Sequence, residues 1–457
     1  MLTRVVVAPS GFKESLSAEA AADAIAAGVL RVLPDAEVDL VPLVDGGEGT
    51  AAALAAATGG RLVTVPATGP VGKTITAHFA LLGSRDTAVV EMAAVAGLSL
   101  VPRDLRDPGA TTTYGVGELI RAALDLVPRQ ATFAPSRRPA RTLAAPAESP
   151  STSSTRASGR HAESTHRTPL LNGQTLPAEA LGVRRILVGC GDSGTSDGGA
   201  GALQALGARL LDLDGRDLPY GGRELTRLHR IDPAGLDPRL KEVELLVACN
   251  PYNVLCGERG VARVFGPQKG ATPAQVEELS AGLENWADVL TRDLAAADLA
   301  VAGTDLRHGP GTGASGGLGA GLAALGAQLL PRFDVLLDHL DLDTRLARAD
   351  LVVTAEGALD HQTPRGKVPA EVARRAKLYG RPVLALAGTL GEGAHEVPGV
   401  DACHGILPGP MALAEALVRA SELLTDATER ALRMIVLGAR LPAQAEVSGT
   451  QRPSSVR

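Results

Sequence analysis

The stretch from Gly189 to Gly201 reads Gly-Cys-Gly-Asp-Ser-Gly-Thr-Ser-Asp-Gly-Gly-Ala-Gly. Glycines let a backbone approach a ligand closely. Ser193, Thr195 and Ser196 bring hydroxyl donors, and Asp192 and Asp197 bring carboxylates. This mixture suits an anion or phosphate held by backbone N–H groups at the start of a helix. It equally suits a tight strand-to-helix turn with capping side chains. Asp197, followed by Gly198 and Gly199, is the candidate for orienting a substrate hydroxyl and taking its proton. Asparagine is also a good cap, so Asp197→Asn is expected to test that role with little change in stability.

Six lysines stand in a chain whose basic residues are mostly arginine: Lys13, Lys73, Lys241, Lys269, Lys367 and Lys377. Four of them lie in glycine or turn contexts, and an ammonium is a compact point charge for phosphate. Lys13, Lys269 and Lys367 are therefore candidate contacts for a phosphate or a substrate carboxylate, Lys13 among the catalytic groups. Gly72-Lys73-Thr74 imitates the end of a P-loop, but the first glycine of that motif would fall at Ala67. Gly311 to Gly316 fits G-x-G-x-x-G, yet no clean strand leads into it, so the dinucleotide fingerprint is incomplete. As a glycine loop opening a helix from Leu318 to Leu330 it still suits an anion, with Gly313 and Ser315 as the candidates.

Carboxylates gather in the same way. Asp45 and Glu48 follow one expected strand, and Glu356 and Asp360 follow another, Leu351 to Thr354. An open α/β sheet binds ligands at the C-terminal ends of its strands. Carboxylates, lysines and glycine loops together suit phosphoryl transfer from Mg-ATP, which needs positioning and charge neutralisation more than a covalent group. Asp45 is read as catalytic, Glu48 as substrate-binding, and Glu356 and Asp360 as ligands of Mg2+.

The elements that must position these groups follow from the apolar pattern. Strands are expected at Val5 to Ala8 and Val38 to Val44, and helices at Ser17 to Leu33 and up to Ala57. Arg61 to Glu91 reads as an antiparallel meander, and Arg184 to Val188 and Val243 to Ala248 as strands. Leu351 to Thr354, Val383 to Leu386 and Gly405 to Leu407 are strands again, alternating with helices. The chain is thus an α/β protein. Residues 1–60 and 300–440 build one discontinuous Rossmann- or flavodoxin-like domain, with a second α/β domain, 61–299, inserted between and a cleft between the two. Residues 127–181 are rich in Pro, Ser, Thr, Ala and Arg without apolar period and read as a disordered insert, and 441–457 read as a loose tail.

Composition narrows the partners. Aromatics are 2% and the net charge is −6, which disfavours base-stacking or polyanion-binding surfaces, so no nucleic acid is expected. No apolar run is long enough to span a bilayer, and the N-terminus enters a strand at once, without a signal peptide. Cys190, Cys249, Cys256 and Cys403 show neither zinc nor disulfide spacing, so a reducing, cytoplasmic setting is expected.

Several motifs taken together resemble the bacterial glycerate kinase family. They are Ala8-Pro9-Ser10-Gly11-Phe12-Lys13-Glu14-Ser15-Leu16, Val44-Asp45-Gly46-Gly47-Glu48-Gly49-Thr50, Glu91-Met92-Ala93-Ala94, Ser193 to Gly201, Phe265 to Ala271 and Glu356 to Asp360. The resemblance runs in order over nearly the whole chain, except Val127 to Leu181 and the tail. It implies ATP-dependent phosphorylation of D-glycerate, typically to 2-phosphoglycerate, with a homodimer as one possible assembly. The chain departs from the family pattern at Ser10 and Gly11 (Asp-Ser), at Asp192 to Ser196 (Gly-Ser-Ala-Thr-Asn), at Asn250 (Asp) and at Ala358 (Arg). Three other readings stand beside it: a kinase of another small hydroxy acid, a homologue that binds ligand with weakened turnover, and a nicotinamide-dependent dehydrogenase resting on Gly311 to Gly316 alone.

Overall fold

The computed structural model describes residues 2–12, 15–127, 170–171, 174–175, 182–296 and 305–441. Most of the 127–181 stretch, the tail beyond 441, and Lys13 lie outside the described residues.

The first sheet is wholly parallel and has five strands. In chain order they are Arg4–Val7, Glu37–Leu40, Leu351–Leu359, Val383–Leu390 and Ala402–Gly405. Their spatial order is 2-1-3-4-5 in that numbering, the doubly wound order of flavodoxin-like folds. Arg4–Val7 therefore lies beside Leu351–Leu359, and the switch point between them opens where the chain leaves each strand. Consecutive strand residues face opposite sides. Val5 and Val7 pack with Ile25, Leu424 and Leu432 on one face, while Val6 and Val352 pack with Leu346, Val372 and Ala376 on the other. Ser17 caps the helix Ala18–Val32, accepting from the Ala20 N–H at 3.1 Å. That helix lies so close to Ala420–Ala439 that a Cβ at Gly28 would meet the Thr425 carbonyl at 2.5 Å and the Thr428 Cβ at 2.6 Å.

The second sheet has six strands: Gln328–Pro331, Glu244–Cys249, Arg185–Gly189, Thr87–Glu91, Thr74–Leu81 and Arg61–Thr68, in spatial order. The meander from Arg61 to Glu91 is antiparallel, as its turn signals imply, and Thr87–Glu91 then pairs in parallel with Arg185–Gly189. One face is covered by Tyr114–Leu124 and neighbouring apolar residues, the other by Thr50–Thr58 and the segment around Leu336.

Two boundaries differ from the sequence reading. The expected helix from Leu318 to Leu330 ends earlier: it follows the left-handed residues Ser315, Gly316 and Gly317 and stops at Ala324, Gly326 turns the chain with a φ of 93°, and Gln328–Pro331 becomes an edge strand of the second sheet. The chain thus returns to the five-stranded sheet after residue 331 rather than at 300. The cause is competition for an edge: Leu246 to Cys249 offer unpaired backbone groups that a short strand satisfies. The strand from Leu351 also continues to Leu359, so Glu356 lies within it and only Asp360 follows it.

The 127–181 segment leaves and re-enters at neighbouring points. Val127 ends the described chain on one side, and the Val183 N–H reaches the Leu126 carbonyl at 3.4 Å on the other. Both Leu126 and Val183 sit in one apolar core. Joining Leu126 directly to Gly182 should therefore leave soluble expression and activity within about twofold of the full chain, as a short connection between packed elements permits. Insoluble or inactive protein would show that the segment contributes to folding or to the site.

Candidate functional site

The central loop forms because a buried strand, Arg185–Gly189, runs straight into a short helix, Ala200–Ala205. The turn between them is held by Asp197. This carboxylate is fully buried and takes four hydrogen bonds: from the Thr113 N–H (2.8 Å) and hydroxyl (2.9 Å), the Gly199 N–H (3.1 Å) and the Gly201 N–H (3.2 Å). Burial pushes its carboxyl up, and those donors pull against that. Gly198 and Gly199 have φ values of 67° and 83°, a region a side chain enters only with strain. Trp286, the one tryptophan of the chain, backs the turn and donates its indole N–H to the Gly198 carbonyl at 2.8 Å.

Lys269 comes from the short turn Pro267–Lys269 and is only 2% exposed. Its Nζ lies 2.8 Å from Ser193 Oγ and 2.5 Å from the Thr195 carbonyl. Burial drives its ammonium from 10.5 down to about 7, and the charge of Asp197 opposes that shift. Ser193 is half-buried, whereas Thr195 and Ser196 are fully buried, and their hydroxyls have no hydrogen-bond partner among the described residues. A second glycine loop closes over this one. The Gly198 N–H donates to the Gly316 carbonyl at 2.9 Å, Gly313 abuts Val254, and Ser315, with a φ of 51°, lies beside the Cys190 thiol.

The Asp45–Gly49 loop meets the central loop from the side of the first sheet. Gly46 and Gly47 pack against Cys190 and Asp192, and the Glu48 N–H donates to Asp192 Oδ2 at 3.3 Å. Asp192 has a φ of 48°, the backbone for which the family pattern has glycine; aspartate is among the few residues that tolerate it. Asp45 accepts from the Gly47 N–H through Oδ1 and from Arg332 Nη1 through Oδ2, at 3.1 and 2.9 Å. Arg332 also donates to the Asp45 carbonyl at 2.9 Å and to the Gly366 carbonyl at 2.5 Å, and its guanidinium lies over the Phe333 ring. One side chain thus ties the loop after residue 44 to the turn before Lys367. A cavity of about 250 Å³ opens beside this junction, lined in part by Asn250, Tyr252, Arg332, Phe333 and Arg374.

Lys367 and Asp360 pair with each other: Nζ lies 3.4 Å from Asp360 Oδ1 and 3.1 Å from the Ala358 carbonyl. Among the described residues no group of three or more His, Cys, Asp or Glu side chains is placed to hold a metal. The departures from the family pattern are absorbed locally. Ser10 Oγ donates to the Ala355 carbonyl at 3.1 Å, and Asn250 donates to the Arg365 carbonyl at 3.0 Å while accepting from the Tyr252 N–H at 3.0 Å.

The fold thus draws Asp45, Glu48, Ser193, Thr195, Asp197, Gly198, Gly199, Lys269, Gly313 and Ser315 into one connected set of loops. Lys367 and Asp360 adjoin that set through Gly366 and Arg332, and Glu356 stays on its strand. Sequence reasoning missed Arg332, Thr113 and Glu91 as supports of the site. Glu91 had a signal, a carboxylate ending the apolar run Ala88-Val89-Val90; Arg332 had none in an arginine-rich chain.

A doubly wound parallel sheet joined to a second sheet, with glycine loops converging on a buried lysine, defines an α/β protein whose ligand site lies at the ends of its strands. The sequence model of the glycerate kinase family matches residues 5–132 and 160–436. The chain belongs to the glycerate kinase family. It is 39% identical over 429 residues to the glycerate kinase of Halalkalibacterium halodurans, covering 93% of this chain and 96% of that one. It is 37% identical over 440 residues to the glycerate 2-kinase of Escherichia coli, covering 96% and 99%. A crystal structure from Salmonella typhimurium LT2, proposed to be a glycerate kinase 2, superposes with a TM-score of 0.68 at 39% identity, over 96% of this chain and 100% of that one. No helix among the described residues is long and apolar enough to cross a membrane, and all four cysteines are free.

Glu91 supports the site from below. It is 2% exposed and caps the helix Thr50–Thr58, accepting from the Gly49 and Ala51 N–H groups at 3.1 and 2.9 Å. Burial pushes its carboxyl from 4.5 up to about 7; the two N–H donors oppose this, and Glu48 and Asp192 add to it. Below pH 4.5 the group is protonated in both the folded and unfolded chain. Above that it ionises first when unfolded, so its cost to folding grows as pH rises to about 7 and then stays. Glu91→Gln should therefore gain thermal stability relative to the parent between pH 5 and pH 8. An equal difference in melting midpoint at both pH values would rule out this titration.

Proposed function

We propose that this chain transfers the γ-phosphoryl group of Mg-ATP to the 2-hydroxyl of D-glycerate, giving 2-phosphoglycerate and ADP. The observation that carries the reading is the buried Lys269 amino group beside half-buried Ser193, in a loop whose neighbouring hydroxyls lack partners among the described residues. A small anion entering there would meet the Lys269 amino group, hydroxyls and the backbone around Gly198 and Gly199, the donor set that phosphoryl transfer uses. The relative from Escherichia coli bears the name glycerate 2-kinase, which favours the 2-hydroxyl.

In this reading the protein has two domains, one around each sheet, and the substrates sit at their junction. Lys269, Ser193, Thr195, Gly198 and Gly199 form the anion cradle, with Gly313 and Ser315 closing it. Glu48 and Asp45 approach from the other side, Lys367 supplies further positive charge, and Lys13, outside the described residues, keeps the role its sequence context suggests. Magnesium would be held mainly by nucleotide phosphates, an arrangement that asks for only one or two carboxylates, and Asp360 and Glu356 would be those. Its chemistry would be to neutralise phosphate charge. Asp197 enters as the holder of the loop, because its oxygens already accept four hydrogen bonds. No nucleic acid or membrane takes part, and the setting is the cytoplasm.

ADP release measured by a coupled assay with D-glycerate, ATP and magnesium tests the reaction, and phosphorus–proton coupling in the product's NMR spectrum identifies the carbon. Release with other hydroxy acids but not D-glycerate would overturn the substrate, and a 3-phosphate product would overturn the position. Lys269→Ala should lower kcat/KM by about 2–4 kcal/mol in transition-state terms.

Asp197→Asn carries a changed expectation. Oδ2 takes three donors, and an amide can offer only one acceptor oxygen, so its NH2 would face an N–H on one side. The variant should lose about 1–3 kcal/mol of stability along with activity. An unchanged melting midpoint would show that these hydrogen bonds do not hold the loop.

A further inference from the structure

We propose that Ser193 and Lys269 form a proton relay that serves as the general base, an assignment that rests on the phosphoryl-transfer reading above. Ser193 Oγ would receive the substrate's proton, and Lys269 Nζ lies 2.8 Å from it. The lysine is buried and the serine is half-buried, so the hydroxyl is the side of the pair that a substrate can reach.

The carboxylates nearby are less suited. Asp197 has both oxygens occupied, by Thr113, Gly199 and Gly201. Asp45 is ion-paired with Arg332, and Asp360 with Lys367. A carboxylate engaged by a cation is a weak base, because taking a proton forfeits the pair. Among the described residues no carboxylate is in contact with Lys269. Its Nζ touches the Ser193 hydroxyl and the Thr195 carbonyl. As an ammonium, Nζ donates to both oxygens; once neutral it keeps one N–H on the carbonyl and turns its lone pair to accept the Ser193 O–H. The charged groups around it are few. Asp197 acts on it through space, Arg106 packs behind Gly270, and Asp192 is turned to the Glu48 N–H on the outer side of the loop. The position of its titration near neutrality, set by burial, keeps a large share of the amine unprotonated at physiological pH.

The step balances as follows. The substrate O–H proton passes to Ser193 Oγ while the proton of Ser193 passes to Lys269 Nζ. The substrate oxygen forms its bond to the γ-phosphorus as the bond from that phosphorus to the bridging oxygen breaks, and ADP leaves with the electron pair. Lys269 ends as an ammonium and returns its proton to solvent through Ser193 once product has gone. The ammonium formed during the step also places positive charge beside the transferring group, where negative charge is spread over the phosphoryl oxygens.

The test is the pH dependence of kcat, and of KM for D-glycerate and ATP, in the full-length enzyme and in Ser193→Ala, Ser193→Thr and Lys269→Arg. The parent kcat should rise with pH through a single limb near 7. Ser193→Ala should lose roughly 10²- to 10⁴-fold in kcat, the size of a lost general base, a far larger change than in KM for either substrate. It should also lose the limb. Ser193→Thr, which keeps the hydroxyl, should recover most of the rate together with the limb. Lys269→Arg carries a permanent charge and cannot accept a proton, so it should lose both kcat and the limb. The relay is overturned if Ser193→Ala keeps the parental kcat and limb, or if either variant raises KM at unchanged kcat, which would make the pair a binding contact. A parent enzyme inactive on D-glycerate would instead overturn the functional reading itself.

Discussion

A carboxylate shut away from water is tolerated only when its lone pairs are occupied, and Asp197 meets that condition with donors from two separate segments. Thr113 lies at the N-terminus of Tyr114–Leu124, and Gly199 and Gly201 lie at the start of Ala200–Ala205. The same carboxylate therefore pins one helix to the next and sets the backbone of the loop between them. The left-handed glycines that follow, the indole N–H of Trp286 and the position of Ser193 all depend on that anchor. Lys269 is buried within reach of its charge, so the electrostatics of the site rest on it as well.

A second constraint joins the two sheets. Arg332 leaves the last strand of the six-stranded sheet and reaches both the Asp45 loop and the Gly366 carbonyl. A guanidinium can bridge several acceptors at once because its donors are fixed in a planar fork. Its stack on Phe333 and its low exposure hold that fork in place. Charge and geometry at Asp45 are thereby linked to the turn that presents Lys367. Neither loop has regular secondary structure of its own at these residues, so the bridge supplies order that the backbone ladder does not.

The departures from the family pattern also find physical explanations. Asp192 adopts a backbone that glycine would enter without strain, and its carboxylate meets the Glu48 N–H in return. Ser10 and Asn250 replace carboxylates with neutral groups, and each is tied to a main-chain carbonyl. Ala358 brings only a methyl group to the end of its strand, and Lys367 hydrogen-bonds its carbonyl. These exchanges leave the loops intact while reducing negative charge around Ser10 and Asn250 and removing a positive one at Ala358.

Much of the fold was legible in the sequence because it is local. Val5 to Val7, Leu351 to Val353 and Val383 to Leu386 are apolar runs of strand length, Ser17 is a helix cap, and the glycines around Asp197 mark a strand-to-helix turn. Those patterns determined an α/β protein, and the motif order determined the family. What stayed hidden depends on contacts between residues far apart in the chain. The strand Gln328–Pro331 forms because Glu244–Cys249 has an open edge, which no local propensity records. The burial of Glu91 and Lys269, which moves their titration toward neutrality, comes from atoms packed around them by other segments. The bridge from Arg332 to Asp45 spans 287 positions, and the contact from Lys269 to Ser193 spans 76. Sequence determined which chemical groups were available; only the tertiary structure decided which of them meet, because desolvation and hydrogen-bond pairing are properties of neighbours in space.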